Sequence, residues 1–143
     1  MLGLPWPYYH AAENLREVHL HKEIPTVLVS FARSGNSPES VATVDLAKQL
    51  VEELYQVTIT CAAEGKLAQQ AHGDERNILL LQPAPSNDAG FAMTSSFTSM
   101  MLTALLVFDP ADLVQKEARV AELIALSQKV LADVADVQAL TEL

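Results

Sequence analysis

Residues 26–40 read TVLVSFARSGNSPES, and this stretch predicts a strand, a short polar loop and the start of a helix in succession. The apolar run Thr26–Val29 is typical of a buried strand, and apolar residues over Val41–Leu54 recur at helical spacing. Ser37 is a favourable N-cap and Pro38 fits the first helical position. The stretch therefore predicts one strand–loop–helix step of an α/β fold.

The loop Arg33–Ser37 has the composition of an anion-binding turn. Ligands of open parallel sheets bind beyond the carboxyl ends of the strands, where a helix start presents free backbone N–H groups and the positive end of its dipole. Gly35 allows a sharp turn and close approach to a ligand, and Ser34 and Ser37 supply hydroxyl donors. We interpret the loop as a phosphate-binding turn, the alternative being a purely structural, well-capped turn.

The rest of the chain continues the alternation of strands and helices. A strand that follows each helix in this way predicts right-handed βαβ units and a parallel sheet, and hence a three-layer α-β-α fold. The predicted strands are Thr26–Phe31, Gln56–Cys61 and Asn77–Leu81, and the predicted helices are Ala11 to about Leu20, Ser37–Tyr55, Gly65–Ala71, a helix to Phe108 capped by Asp88 or Thr94, and Asp112–Val137.

Composition restricts the class of protein. A chain of 143 residues with 50% hydrophobic residues suits one globular domain. The formal net charge of −9 argues against nonspecific nucleic-acid binding and against docking on anionic lipid. Any phosphate must then be held by local donors. The single cysteine, Cys61, excludes an internal disulfide and is expected to be a small buried hydrophobe in a cytoplasmic protein.

One segment is long enough to cross a membrane. Residues 89–108 carry no charge, but six Ser and Thr side chains make this segment polar over much of its length. No aromatic belt or basic flank follows it. We therefore expect a buried helix and no membrane association.

Three segments of the sequence resemble the SIS (sugar isomerase) domain. The more specific similarity is to the tagatose-6-phosphate ketose/aldose isomerase family, whose members also act as galactosamine-6-phosphate deaminase/isomerases. The segments are Val29–Ala42, Ile59–Cys61 followed by Gly65–Ala68, and Gly90–Thr98, and together they lie within about residues 25–108.

The resemblance implies part of a larger architecture. It suggests a parallel sheet of flavodoxin-like topology in a single partial domain over residues 1–143, with a C-terminal helix at about 111–138. The family's first phosphate turn, Gly-x-Gly-Thr-Ser, has no counterpart here, and its second SIS domain is expected downstream. Two positions depart from the family pattern: Ala62 stands where Asn is expected, and Ala89 where Arg is expected.

The resemblance also implies a site and a reaction. Ser34 and Ser37 would bind the phosphate of a hexose 6-phosphate such as tagatose 6-phosphate or galactosamine 6-phosphate, with Arg33, Gly35 and Asn36 lining the turn. Arg33 would contact phosphate directly or form a surface ion pair. The hydroxyls of Thr94, Ser95 and Ser96 would close the sugar pocket, the alternative for these three being helix capping.

The catalytic groups are not identified by the sequence. Aldose–ketose isomerisation, with or without deamination, needs a base and a ring-opening acid. Glu39 is the only carboxylate in the segment Val29–Ala42 and suits the helix dipole better than catalysis. His19 and His21 are two ligands, too few for a metal site, and we expect no cofactor.

Two further functional expectations remain. One is that the chain is a non-catalytic phosphosugar-binding module, or a truncated inactive fragment. The other concerns assembly: strand Thr26–Phe31 would be an apolar strand at the edge of the sheet, and such edges pair with other chains. We therefore expect a homo-oligomer, most simply a dimer, held by that edge or by the apolar face of the last helix.

Overall fold

A computed structural model describes residues 22–109 and 111–132. The predicted helix at Ala11–Leu20, together with His10, His19 and His21, lies outside these residues. The described part contains three strands, β1 (Thr26–Ala32), β2 (Leu54–Thr60) and β3 (Asn77–Leu81). Its helices are α1 (Pro38–Leu50), α2 (Lys66–Ala71), α3 (Thr94–Phe108) and α4 (Leu113–Ala132), with a 3-10 turn at Ala84–Ser86.

The three strands form one parallel sheet in the order β1-β2-β3, which confirms the predicted α/β class. β1 aligns with β2 from the pair Thr26–Leu54 to the pair Ala32–Thr60. The carboxyl ends of all three strands therefore meet at one edge, and the loops at residues 33–37, 61–65 and 82–93 leave from that edge. This common edge is what positions the candidate site.

The helices α1 and α2 supply the main apolar contacts on one face of the sheet. One buried cluster joins Ala32, Val44 and Leu67, and Leu28 packs against it. A second cluster joins three buried residues near the amino end of β2, and Leu28 contacts this cluster too; its members are Ala47, Val51 and Leu54. Because Leu28 touches both clusters, the core runs continuously under α1 from one end of the sheet to the other.

The helix after the loop Arg33–Ser37 is shorter than the sequence pattern predicts. The predicted helix runs to Tyr55, but α1 ends at Leu50 and Val51 is already extended, with φ −98° and ψ 122°. Leu54 and Tyr55 belong to β2, where they lie opposite Thr26 and Val27 of β1. Tertiary pairing thus overrides a helical periodicity that continues into the strand.

Helix α3 is mostly exposed, so the prediction of a buried helix is wrong. Ser96 is its only buried residue, while Phe97 and Leu105 are more than half exposed. Its apolar side chains lie all around the helix and do not form one stripe. Because packing against the rest of the protein covers only one side of a helix, the apolar side chains on the other sides stay exposed. None of the described helices is long and apolar enough to cross a membrane.

A buried glutamine connects α3 to the end of β3. The Oε1 atom of Gln82 accepts hydrogen bonds from the hydroxyls of Ser99 at 2.7 Å and Thr103 at 2.9 Å. The Nε2 of the same side chain donates to the Leu80 carbonyl at 3.4 Å. Ser99 and Thr103 are four residues apart and so share one face of the helix.

The chain divides into two compact units, one ending at Thr103 and the other beginning at Ala104. The second unit contains α4, none of whose described residues is buried. Lys116 closes the turn before α4 through an ion pair with Asp109, Nζ to Oδ2, at 2.7 Å. This pairing favours the ionised carboxylate and lowers the pKa of Asp109.

Candidate functional site

The loop Arg33–Ser37 is a compact turn held by its own hydrogen bonds. Gly35 has φ +63°, a left-handed conformation in which glycine is strongly favoured. The Ser34 hydroxyl oxygen accepts the Asn36 backbone N–H at 3.3 Å. Ser37 caps α1 by accepting the Ser40 N–H, with Pro38 at the first helical position, as predicted. The conformation of the turn therefore follows from its sequence.

The first loop packs closely against the loop after β2. The Gly35 carbonyl accepts the Leu67 N–H at 3.1 Å, and the Asn36 side-chain oxygen accepts the Lys66 N–H at 3.0 Å. Gly65 lies so close to the Ser34 carbonyl oxygen that a Cβ atom at this position would overlap it. Asn36 thus connects the two loops through its side chain, while its backbone forms part of the turn.

Thr60 at the end of β2 supports the same turn from below. Its buried hydroxyl donates to the Arg33 carbonyl at 3.3 Å, and the Cys61 N–H donates to that carbonyl at 3.1 Å. Cys61 is buried, as predicted for a small apolar residue. Ala62, where we expected Asn, is also buried and brings no polar side chain to this edge.

Arg33 points to the loop after β3. Its Nη1 donates to the Asn87 side-chain oxygen at 3.2 Å and to the Asp88 backbone carbonyl at 3.0 Å. Among the described residues, no carboxylate oxygen lies within ion-pair distance of this guanidinium. Both partners are uncharged acceptors, so within residues 22–109 and 111–132 the positive charge of Arg33 is not neutralised by an ion pair.

The third segment begins α3 and contains the predicted hydroxyl cluster. Asp88 fixes its start, because one carboxylate oxygen accepts the Ser95 N–H at 2.8 Å. The Ser96 side chain is buried and donates to the Met93 carbonyl at 3.2 Å. Thr94 and Ser95 are exposed, and their hydroxyls donate to no described residue. These two hydroxyls are thus the ones in the cluster that a ligand could reach.

The surroundings of Asp88 favour the ionised form of its carboxyl. Burial acts to raise the pKa of its carboxyl, but hydrogen bonding from the neighbouring residues Ser95 and Ser96 outweighs this effect. The pKa of Asp88 therefore lies below its usual value. A carboxylate held in this way suits a structural role at the helix N-terminus better than proton transfer near neutral pH.

The structure thus brings two of the predicted groups into one linked set of loops. Arg33–Ser37 and Thr94–Ser96 are connected through residues 87–88, while Glu39 is exposed in the first turn of α1 and His72 is exposed after α2. The described residues contain no cluster of three or more His, Cys, Asp or Glu side chains that could hold a metal ion.

The sequence assigns no role to the supporting residues of this site. Thr60 and Gly65 lie in the second of the three segments that resemble the family, but nothing in that segment indicates their contacts, and Asn87 lies outside all three segments. Their importance comes from contacts with residues far away in the sequence: Gly65 with Ser34, and Asn87 with Arg33.

Comparison with known proteins identifies relatives for most of the chain. A model of the SIS domain matches residues 8–109. Two proteins named D-galactosamine-6-phosphate deaminase AgaS are 50% identical over 94 residues (Shewanella sp., 66% of this chain and 24% of that protein) and 45% identical over 117 residues (Escherichia coli, 74% and 30%). The chain therefore spans about 30% or less of the length of these relatives.

Solved structures agree with the predicted fold. Tagatose-6-phosphate ketose/aldose isomerase from Escherichia coli superposes with a TM-score of 0.69 at 46% identity, over 79% of this chain and 30% of that one. A structure from Clostridium novyi NT superposes with a TM-score of 0.75 at 40% identity, over 86% and 33%. The match to the SIS model, extending from residue 8 to residue 109, shows that this chain belongs to the SIS domain family.

Proposed function

We propose that this chain binds a hexose 6-phosphate, such as tagatose 6-phosphate or galactosamine 6-phosphate. It would take part in aldose–ketose isomerisation of that sugar, with deamination where the sugar carries an amino group. The observation that carries the proposal is the turn 33–37, a hydroxyl-bearing loop at a helix N-terminus beside the Arg33 guanidinium, which forms no ion pair with any carboxylate that the structure describes. The names of the relatives supply the substrate class.

The phosphate would lie against the turn between Arg33 and α1. The Ser34 oxygen accepts a hydrogen bond from Asn36, so its hydroxyl proton is free for a phosphate oxygen. The Ser37 hydroxyl donates to the Ser40 oxygen at 2.7 Å and would have to rotate to reach a ligand. With a net charge of −9 on the chain, these local donors and the helix dipole would have to supply the attraction.

The sugar would extend toward the start of α3. The exposed hydroxyls of Thr94 and Ser95 can donate to or accept from sugar oxygens. Ser96, already bonded to Met93, would support the backbone of this segment. This assignment gives the phosphate to one loop and the sugar to another, so affinity and sugar preference can be separated by mutation.

A second candidate is a phosphosugar-binding module without turnover. Asp88, the carboxylate between the two loops, favours this candidate. Its lowered pKa and its hydrogen bond from the Ser95 N–H suit a structural role better than a role as catalytic base. An assay for conversion of galactosamine 6-phosphate or tagatose 6-phosphate separates the two candidates, because both predict binding and only the first predicts turnover. For either, a cytoplasmic location fits a sugar-phosphate ligand and a lone buried thiol.

Thermal melting with ligands tests the binding proposal. A sugar phosphate at one hundred times its dissociation constant should stabilise the native state by about 2.7 kcal/mol, which raises Tm by roughly 10 °C for a chain of this size. Ser34→Ala should reduce this shift to less than half, and Ser37→Ala should reduce it further while also lowering the ligand-free Tm through loss of the N-cap.

The control variant is Ser127→Ala, which removes an exposed hydroxyl that donates to the Leu123 carbonyl within α4. It should retain the full ligand-induced shift. Inorganic phosphate and the unphosphorylated sugars should give smaller shifts. If the sugar phosphate gives no shift in a folded sample, or if Ser34→Ala shifts as much as the parent chain, the proposed site is wrong.

We further propose that the chain forms a homodimer through α4. Leu113, Val120, Ile124 and Leu131 recur at heptad-like spacing and form one stripe, and three of them are more than half exposed. A stripe of this kind can pair with its own copy about a two-fold axis.

Sedimentation velocity at micromolar concentration should show a dimer. Ile124→Glu, on the stripe, should give a monomer because it places a charge in the apolar seam. Leu126→Glu, an equally exposed leucine on the opposite side of α4, should leave the dimer intact. A parent chain that is monomeric in this measurement would contradict the assignment.

A further inference from the structure

We infer that Arg33 is a positioning residue, which holds the sugar-binding segment 87–96 in place against the phosphate turn. This inference rests on the proposed function for the identity of the two loops, but its geometry stands on the hydrogen bonds alone. It differs from both roles expected from the sequence, because Arg33 neither forms an ion pair with any described carboxylate nor depends on a ligand for its partners.

The connection has two consecutive steps, from Arg33 to residues 87–88 and from Asp88 to Ser95. Arg33 Nη1 holds both Asn87, at 3.2 Å, and the backbone of Asp88, at 3.0 Å. The Asp88 carboxylate then holds the Ser95 N–H at 2.8 Å, in the first turn of α3. A single guanidinium nitrogen thus fixes the residue whose side chain fixes the helix start.

The other end of the connection is equally well anchored. The Arg33 carbonyl accepts from both the Thr60 hydroxyl and the Cys61 N–H, which ties the backbone of Arg33 to the end of the central strand. The side chain of Arg33 is partly buried, so its hydrogen bonds are shielded from competing water. Movement of the segment 87–96 therefore requires breaking bonds to a fixed point.

The geometry also explains why arginine is needed. The two N–H groups of Nη1 have fixed directions because they belong to a planar, rigid group, whereas a lysine ammonium is a compact charge on a flexible chain. Lysine at position 33 would keep the positive charge near the phosphate but would hold Asn87 and Asp88 poorly. A direct phosphate contact would tolerate this change better than a positioning role does.

The test uses the full 143-residue chain with Arg33→Ala, Arg33→Lys and Asn87→Ala. The matched control is Arg76→Ala, which removes an exposed guanidinium lying 6.0 Å from the centre of the Tyr55 ring. Hydrogen exchange without ligand should be about tenfold faster at the Ser95 amide in Arg33→Ala, the effect expected when the charge-assisted hydrogen bond that holds the Asp88 backbone is lost. Arg33→Lys and Asn87→Ala should change it in the same direction, whereas the Val41 amide in α1 should not change.

Binding supplies the second measurement. The dissociation constant of galactosamine 6-phosphate should rise about tenfold in Arg33→Ala, and Arg33→Lys should restore less than half of the lost binding free energy. That of inorganic phosphate should change by less than about threefold in Arg33→Lys, which keeps the positive charge, and by a smaller factor than that of the sugar phosphate in Arg33→Ala. Arg76→Ala should match the parent chain.

Unchanged exchange at Ser95, or equal losses for the sugar phosphate and for inorganic phosphate, would overturn the positioning role. Full rescue by lysine would also overturn it, since charge alone would then be sufficient. If the parent chain binds no sugar phosphate, the proposed function is wrong, and the exchange result by itself decides whether Arg33 fixes the segment.

Discussion

Gly65→Ala should destabilise the protein and abolish sugar-phosphate binding together. A Cβ atom at residue 65 would overlap the Ser34 carbonyl oxygen and come within 3.2 Å of the Ala62 carbonyl oxygen. Both obstacles are backbone atoms, which cannot rotate away as a side chain can. Relief therefore requires the turn 33–37 to move away from the loop after β2. We expect a loss of about 3 kcal/mol in the free energy of unfolding.

The same displacement should remove the ligand site. Moving Ser34 breaks the register in which Gly35 and Asn36 accept hydrogen bonds from Leu67 and Lys66. The phosphate donors of the turn would then no longer converge on one point. The melting temperature should fall by roughly 10 °C, and the ligand-induced shift should disappear.

Gly90→Ala is the matched control for this substitution. A Cβ atom at Gly90 would meet only the Ala92 carbonyl oxygen, at 3.8 Å, and the backbone there does not need a positive φ. This variant should melt within about 2 °C of the parent chain, as is usual for surface substitutions. A Gly65→Ala protein as stable as Gly90→Ala would contradict the close packing of the two loops.

Ile59→Ala should cause the largest purely structural loss. Ile59 lies on the central strand and is fully buried, so its truncation removes apolar contacts and leaves a cavity. Such substitutions cost about 2–5 kcal/mol, and the central position of β2 favours the upper half of that range because neighbours on both sides limit collapse. Chemical denaturation followed by circular dichroism measures the change.

The neighbouring strand offers an isoleucine as control. Ile78 lies on β3 on the same face of the sheet, but 61% of it is exposed. Ile78→Ala should cost less than about 1 kcal/mol, since only strand propensity and partial packing are lost. Equal losses at the two positions would mean that β2 is not the buried centre of the sheet.

The local parts of this fold could be predicted from sequence because they depend on neighbouring residues. The N-cap at Ser37, the turn at Gly35 and the strand Asn77–Leu81 all follow from residue types at fixed spacing, and each has its predicted place. The end of α1 could not be predicted, because Leu54 and Tyr55 continue the helical pattern and only pairing with β1 makes them a strand.

The candidate site shows the same division. The hydroxyl-rich turns 33–37 and 94–96 are visible in the sequence, and the SIS resemblance comes from them. The partners that connect them are not visible, because Arg33 and Asn87 are 54 residues apart and meet only in the folded sheet. Likewise, the exposure of α3 depends on how many of its apolar side chains pack against other elements of the fold. Hydropathy alone does not reveal this number.

Gln82 gives α3 an unusual kind of constraint. Because one amide oxygen receives the hydroxyls of Ser99 and Thr103, the rotation of the first part of the helix about its own axis is set by directional bonds rather than by apolar packing. A rotation of one residue step would turn both hydroxyls away from Gln82 at the same time. The direction in which Thr94 and Ser95 face is thereby decided one and two turns further along the helix. The exposed apolar positions of α3 are then free to change in sequence without altering that direction, whereas Ser99 and Thr103 are not.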